Sequence, residues 1–295
     1  MIRNNQTVLV VGEILWDLFP TYKRFGGAPF NFGFHMHHFG WTVHLVSGVG
    51  ADDKGRKILE FLQSHHLDIS AIQVFPDYPT GQVRVQLDEQ GKPQFQILTD
   101  AAYDQIEYPP LLSEGFAQID LIYFGSLIQR SRQGHETLQR ILKQRPAHTR
   151  CLYDLNLRPG CYNETVVRES LQQCDVVKLN NEELDILKEM FAFPHDQRSF
   201  IDYLLKHYHL DLLCLTCGAE GSHLYSVGQH SFTEAAPVVK IADTVGAGDA
   251  FAAVLAIGYM QGWLPGKILK SASAFSSHIC RIEGAVPLEN INDFY

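Results

Sequence analysis

The run Asp243-Thr244-Val245-Gly246-Ala247-Gly248-Asp249, continued by Ala250-Phe251-Ala252-Ala253, sets two carboxylates on a turn of small residues that leads into an apolar helix. A helix N-terminus presents N–H groups without intrahelical partners and a partial positive charge, which suits a phosphate or a developing anion. Glycine and alanine keep bulky side chains from blocking approach to that backbone. A carboxylate in the first turn can take the proton from an attacking alcohol. These are the parts for phosphoryl transfer from ATP to a hydroxyl, with Asp249 as the base and Gly246, Ala247 and Gly248 as the anion cradle. For the glycines alone, a close helix-packing point is an equal reading. Two carboxylates at one turn weigh against it, because burying them is costly unless they are used or paired. Asp243 reads as holding the turn through its own side-chain hydrogen bonds.

Composition narrows the field. The chain has 295 residues, 45% hydrophobic and 19% charged, as in an ordinary folded globular protein. Its formal net charge of -9 argues against a nucleic-acid partner, whose site usually carries a basic stripe. The first seven residues are mostly polar and the apolar run 8–11 is short, so a cytoplasmic protein without a secretory leader is expected. No apolar run approaches the length of a membrane span. The six cysteines are irregularly spaced and read as mostly reduced and buried; Cys214 and Cys217 have the spacing of half a zinc site, but no second pair follows. His35 and His38 would share a helix face as a metal pair might, yet no carboxylate or cysteine completes the set, and packing is the better reading. The chain has neither a Gly-x-x-x-x-Gly-Lys-Ser/Thr run nor a Gly-x-Gly-x-x-Gly after its first strand, which counts against P-loop and dinucleotide-binding enzymes.

The elements that must position the turn can be read from periodicity. Apolar runs of strand length fall at 7–11, 43–46, 121–124, 151–153, 176–179 and 212–215, with helical periods at 54–63, 133–143, 166–173 and 200–207. This alternation predicts an α/β fold, a mainly parallel sheet with helices on both faces, whose ligands sit beyond the carboxyl ends of the strands. The stretch 72–98 breaks the rhythm. Its segments 81–87 and 94–97 alternate around a turn at Asp88-Glu-Gln-Gly91, and read either as a small antiparallel flap or as a simple edge hairpin. A second hairpin is expected at 222–227 and 229–234, and helices at about 247–260 and 265–280.

The chain resembles the ribokinase-like carbohydrate kinases, also called the PfkB family. The stretch from Asp243 to Ala253 fits that family's C-terminal signature throughout. Gly26-Gly27-Ala-Pro-Phe-Asn31, followed by an amphipathic stretch closing at Gly40, fits its N-terminal one. Two signatures in order, one near each end, extend the resemblance over essentially the whole chain. It implies one doubly wound α/β domain over 1–295 with a small β lid inserted at about 14–30 and 72–100. A two-faced lid in turn suggests a homodimer formed through it.

Two further runs, Gly12-Glu13-Ile-Leu-Trp-Asp17 with Phe19-Pro20 and Asp154-Leu-Asn156-Leu-Arg158-Pro159, are worded as in the family's bacterial fructokinases. By resemblance, Asp17, Gly27 and Asn31 line the sugar pocket, with Asn31 offering both a donor and an acceptor. From position alone Asp17 also suits a solvent-facing turn. Asp53, in a family run beside the sugar, reads as a helix cap. Arg158 reaches a phosphate or a sugar oxygen, or else forms a surface salt bridge. Asn180 and Glu183 share a face at a helix start. The resemblance has Asn180 contact the phosphates and Glu183 act on Mg²⁺ through water. Thr216, Gly218 and Gly221 lie in a turn like the family's nucleotide-contact turn. Ser277 and His278 fall where the family places the adenine, histidine standing where asparagine is frequent. Gly284-Ala285 closes the loop beneath the phosphates, where some members bind a monovalent cation such as K⁺. Phe95 and Ala101-Ala102-Tyr103 lie where lid and hinge meet the sugar, although Tyr103 reads equally as core.

The expected activity is therefore ATP-dependent phosphorylation of a primary hydroxyl, with D-fructose to fructose 6-phosphate as the leading case. Other acceptors (2-keto-3-deoxygluconate, ribose, a nucleoside) are alternatives within the class. An acid sugar would want a cation facing its carboxylate, and Arg158 is the evident one. A sugar-binding regulatory protein with a retired site is the alternative from another class, and the intact Asp249 and glycine turn argue against it.

Overall fold

The computed structural model describes residues 6–87, 93–237 and 241–287, with backbone alone at 85–87, 93–95 and 113–114. The turn expected at Asp88-Glu-Gln-Gly91 lies outside the described residues. The chain forms two compact units, Met1–Asp120 with Leu127–Ala147, and Leu121–Ser126 with His148–Tyr295.

The first unit runs β1 (Thr7–Val11), β2 (Leu15–Leu18), β3 (Lys23–Gly26), α1 (Ala28–His38), β4 (Thr42–Gly50), α2 (Asp53–Ser64), β5 (Ile72–Phe75), β6 (Gly81–Leu87), β7 (Pro93–Ile97), α3 (Leu111–Gly115) and α4 (Arg132–Gln144). Strands β1, β4 and β5 are parallel neighbours in that order. Val8, Leu9, Val10 and Val11 are all fully buried, so β1 carries a continuous aliphatic run rather than an alternating one. Helices α1 and α2 pack on these strands. His38 stacks on Phe34, with ring centroids 4.2 Å apart, and His65 packs at a tilt on Phe61 at 4.1 Å, so these rings serve packing.

A separate four-stranded sheet has the order β3-β2-β6-β7. Its outer pairs are antiparallel and β2 runs parallel to β6. The alternating segments are thus half of a small sheet rather than an edge hairpin. Ile72–Phe75, expected at the start of the insertion, instead pairs with Ser47–Gly50 of β4 and covers backbone that would otherwise be an open edge.

The cap of α2 differs from expectation by one residue. Asp52, not Asp53, has the extended backbone a cap needs, and its Oδ1 accepts the Gly55 N–H at 2.8 Å. The same carboxylate accepts the N–H and O–H of Thr80 at 2.9 and 2.7 Å. Asp53 begins the helix proper and faces Arg56 and Lys57 at the surface.

The second unit runs β8 (Leu121–Gly125), β9 (Arg150–Asp154), α5 (Glu164–Gln173), β10 (Val176–Asn180), α6 (Asn181–Met190), α7 (Gln197–His207), β11 (Leu212–Thr216), β12 (Ser222–Ser226), β13 (Gln229–Thr233), α8 (Ala247–Met260) and α9 (Pro265–Ile279). Strands β8 to β11 are parallel, and the expected hairpin β12–β13 adds two antiparallel strands. Helix α8 is buried from Ala250 to Gly258, as befits a helix apolar nearly all round. At Gly258 a Cβ would stand 2.7 Å from the Ile268 side chain, so this glycine lets α8 and α9 close on each other. The fold is thus the expected α/β one: mainly parallel strands flanked by helices, with a smaller sheet beside them. Among the described residues no helix is long and apolar enough to cross a membrane.

Candidate active site

The two glycines at the start of α8 differ in what surrounds them. Gly246, the N-cap, has φ 79, and a Cβ there would collide with Ala285, so this position demands glycine for backbone and space alike. Gly248 is different. Among the described residues, a Cβ there meets only Lys178 Nζ within 4 Å, at 3.7 Å, an ordinary contact, so space does not require glycine at this position. Helices α2, α4, α5, α6 and α7 are capped by the side chains of Asp52, Ser131, Asn163, Asn180 and Asp196, whereas α1, α3, α8 and α9 have no side-chain cap; α8 differs from the other three in carrying a carboxylate, Asp249, in its first turn after a left-handed glycine. Asp243 holds the turn as expected, its Oδ1 accepting the Val245 N–H at 3.0 Å and its Oδ2 the Gly284 N–H at 3.3 Å. Asp249 is half-buried, between exposed Gly248 and buried Ala250.

Beneath this turn lies a buried ionic group. Lys178 of β10 donates to both oxygens of Asp154, at 2.9 and 3.0 Å, and Asp154 also accepts the Tyr123 O–H at 3.1 Å. Parallel pairing sets Lys178 directly opposite Asp154. Burial opposes the ammonium, but Asp154, Glu183 and Asp249 outweigh it and push its pKa above the ordinary value. Sequence reasoning passed over Lys178. The available signal was a lysine inside the run Val176-Val177-Lys178-Leu179, a place where a charge is rare unless paired.

Asn180 and Glu183 form a reciprocal capping box at the start of α6. Asn180 Oδ1 accepts the Glu183 N–H at 2.8 Å and Glu183 Oε2 accepts the Asn180 N–H at 2.9 Å. Glu183 Oε1 takes the Leu157 N–H at 2.8 Å. Burial leads the causes that raise the Glu183 pKa. Each carboxylate oxygen accepts one N–H and keeps a lone pair for a water, which fits Mg²⁺ held through water. Among the described residues no cluster of three ligating side chains offers direct coordination.

Thr216 ends β11 opposite Asn180, and its hydroxyl donates to the Leu179 carbonyl at 3.4 Å. In the turn that follows, Gly218 and Gly221 have φ 55 and 113, and a Cβ at Gly221 would collide with the Thr233 carbonyl. Ser277 on α9 donates to the carbonyls of Ala236 and Pro237, both at 3.3 Å, and His278 lies next to it in the last turn. Arg158 is exposed after β9, donates to the Leu157 carbonyl at 3.3 Å, and forms no ion pair among the described residues.

The first unit gathers the remaining residues. Asp17 sits on β2 opposite Arg24, with its carboxylate where a Cβ on Gly26 would stand. Gly27, at φ 109, precedes α1, and a Cβ there would press on the Glu13 carbonyl. Asn31 is buried on α1 and donates its N–H to the Gly27 carbonyl at 2.9 Å. Tyr103, in a 3-10 turn at Ala102–Gln105, is fully buried, with its ring edge over Gly81. Arg130, which sequence reasoning missed, pairs with Asp104 and donates to the Leu98 carbonyl at 2.7 Å, tying the end of β7 to that turn. Phe95 lies on β7 opposite Val85.

A profile described as pfkB family carbohydrate kinase matches residues 9–291. The ATP-dependent 6-phosphofructokinase of Thermoanaerobacterium thermosaccharolyticum is 26% identical over 296 residues, covering 95% of this chain and 89% of that protein. The fructokinase of Salmonella typhimurium is 28% identical over 274 residues, covering 88% and 87%. Among solved structures, the fructokinase with bound ATP from Xylella fastidiosa is similar with a TM-score of 0.85 at 23% identity, covering 95% of this chain and 93% of that one. At that identity the likeness speaks for the fold.

Proposed function

The chain belongs to the pfkB family of carbohydrate kinases, and from that premise we propose that it transfers the γ-phosphoryl group of ATP to a primary hydroxyl of a sugar, D-fructose first among the candidates. The observation that carries this reading is the start of α8, a helix without a side-chain cap whose first turn holds the exposed Gly248 and the carboxylate of Asp249.

Asp249 takes the hydroxyl proton as the sugar oxygen bonds to the γ-phosphorus and the bond to the β-phosphate oxygen breaks, leaving ADP. The amides of Gly246, Ala247 and Gly248 face the charge that spreads over the phosphoryl oxygens. Asn180 and Arg158 position the phosphates. Thr216, Gly218, Gly221, Ser277 and His278 form the nucleotide side. Glu183 would hold Mg²⁺ through water, and the ion, when bound, supplies neutralisation of the triphosphate charge. A K⁺, if bound, would be held by backbone carbonyls of the loop that Asp243 ties to Gly284. Asp17, Gly27 and Asn31 take the sugar hydroxyls, with Phe95 and Tyr103 as the lid and hinge contribution.

Fructose leads because the wording of residues 12–20 and 154–159 follows fructokinases and a fructokinase is among the relatives. Exposed Arg158, without an ion pair among the described residues, favours an acid sugar such as 2-keto-3-deoxygluconate as the second reading. A coupled kinase assay with fructose, fructose 6-phosphate, 2-keto-3-deoxygluconate, ribose and a nucleoside decides. Fructose is expected to give the highest kcat/KM. A higher value for the acid sugar selects the second reading, and no turnover with any of them refutes both.

A further inference from the structure

Lys178 has no part in the reaction just outlined, yet its position invites one. Its neighbours along β10, Val176, Val177 and Leu179, are fully buried aliphatic side chains. A buried ion pair is seldom more stable than well-packed apolar residues of the same volume, so stability is a weak reason for a lysine here. Asp154 accepts both short hydrogen bonds from the ammonium. What singles this ammonium out is its place at the first turn of α8. Lys178 Nζ is the atom 3.7 Å from where a Cβ on Gly248 would stand, so the space that glycine leaves is bordered by a positive charge. Asp249, one residue further on, interacts with the same ammonium.

We propose that Lys178 is a positioning residue for phosphoryl transfer: clamped by Asp154, its ammonium adds positive charge beneath the first turn of α8 and holds the Asp249 carboxylate in place against the repulsion of an incoming triphosphate. The inference rests on the kinase reading. A fixed charge aimed at where negative charge develops acts mainly on the transition state, because it needs no reorganisation during the reaction. Two charges a few ångströms apart in a site with little water interact far more strongly than in bulk solvent. The effect therefore belongs to kcat rather than to sugar binding.

The test compares the wild type with Lys178→Met, Asp154→Asn and the double variant, reading kcat, KM for the sugar and the melting curve. Lys178→Met is expected to lose about 10²-fold in kcat with KM for the sugar held within about threefold. Asp154→Asn keeps the ammonium and should lose less than about tenfold, and adding Lys178→Met to it should remove about tenfold or more again. A lysine whose sole task is to neutralise Asp154 predicts otherwise: the double variant would then match Asp154→Asn. Equal kcat in those two proteins overturns the inference, and so does wild-type kcat in a cooperatively melting Lys178→Met protein. The double variant removes both members of the Lys178–Asp154 pair and so leaves neither of them buried and unpaired, and it carries the test if Lys178→Met does not fold. A wild type that phosphorylates no sugar overturns the kinase reading and this inference together. An active wild type indifferent to Lys178 overturns this inference alone.

Discussion

At the scale of single residues, the two glycines that open α8 should respond to the same substitution in opposite ways. Gly246→Ala places a side chain at φ 79 and against Ala285, so it should cost about 1–3 kcal/mol in urea unfolding and lower activity with it. Gly248→Ala meets nothing nearer than Lys178 Nζ at 3.7 Å, an ordinary contact, so stability should change by less than about 1 kcal/mol. Its methyl group would intrude where the phosphoryl oxygens are proposed to sit, so kcat should fall while the protein stays folded. Loss of stability at 248 with activity spared would contradict the cradle. For Asp249→Asn, steady-state kinetics should show kcat reduced roughly 10²–10⁴-fold with little change in KM for the sugar. Weakened sugar binding at unchanged turnover would remove Asp249 from the role of base.

At the scale of elements, Asp52 joins the start of α2 to Thr80, the residue just before β6 of the small sheet. Burial works against its charged form, but the N–H and O–H of Thr80 and the N–H of Gly55 outweigh it and hold its carboxyl below the usual range. A depressed carboxylate pKa contributes stability above the unfolded value, about 4, and that contribution is lost as pH falls through the folded value. Asp52→Asn keeps a capping oxygen but loses the charge, and with solvent screening at this partly exposed site it should cost no more than about 1 kcal/mol at pH 7, the unfolding free energies of variant and wild type converging in acid. Curves that stay parallel down to low pH would show that this carboxylate does not clamp the two elements.

At the scale of the whole molecule, the residues proposed for the sugar and those proposed for the nucleotide lie in different stretches of the chain, and amide hydrogen exchange can read that division. Fructose alone should slow exchange at residues 15–31, whereas ATP alone should slow it at 216–221 and 243–250. The crossed pattern would reject the division. ATP at a hundredfold its Kd should also raise the unfolding free energy by about 2.7 kcal/mol, because a ligand that binds only the folded state stabilises it by mass action.

Much of this was legible in the amino-acid order, and the reason is burial. Strands covered on both faces are almost continuously apolar, so the runs at 7–11, 121–124 and 176–179 announced themselves despite Lys178 in the last, as did the amphipathic periods of α2, α4, α5 and α7. The glycine turn before α8 was equally plain, because few other residues could stand at a left-handed cap pressed against Ala285. Folding in three dimensions decided the rest. Periodicity gave no sign of β2 and β3, four residues each, which exist by pairing with β6 and with one another. Asp52 and Asp53 are the same residue type side by side, and only backbone dihedral angles chose the cap. The meaning of Lys178 came from tertiary structure: register set Asp154 opposite it, and the packing of α8 brought the first turn of that helix close to it. Local pattern encodes which face of an element is dry; which charges meet across elements depends on the packing of strands and helices far apart in the chain.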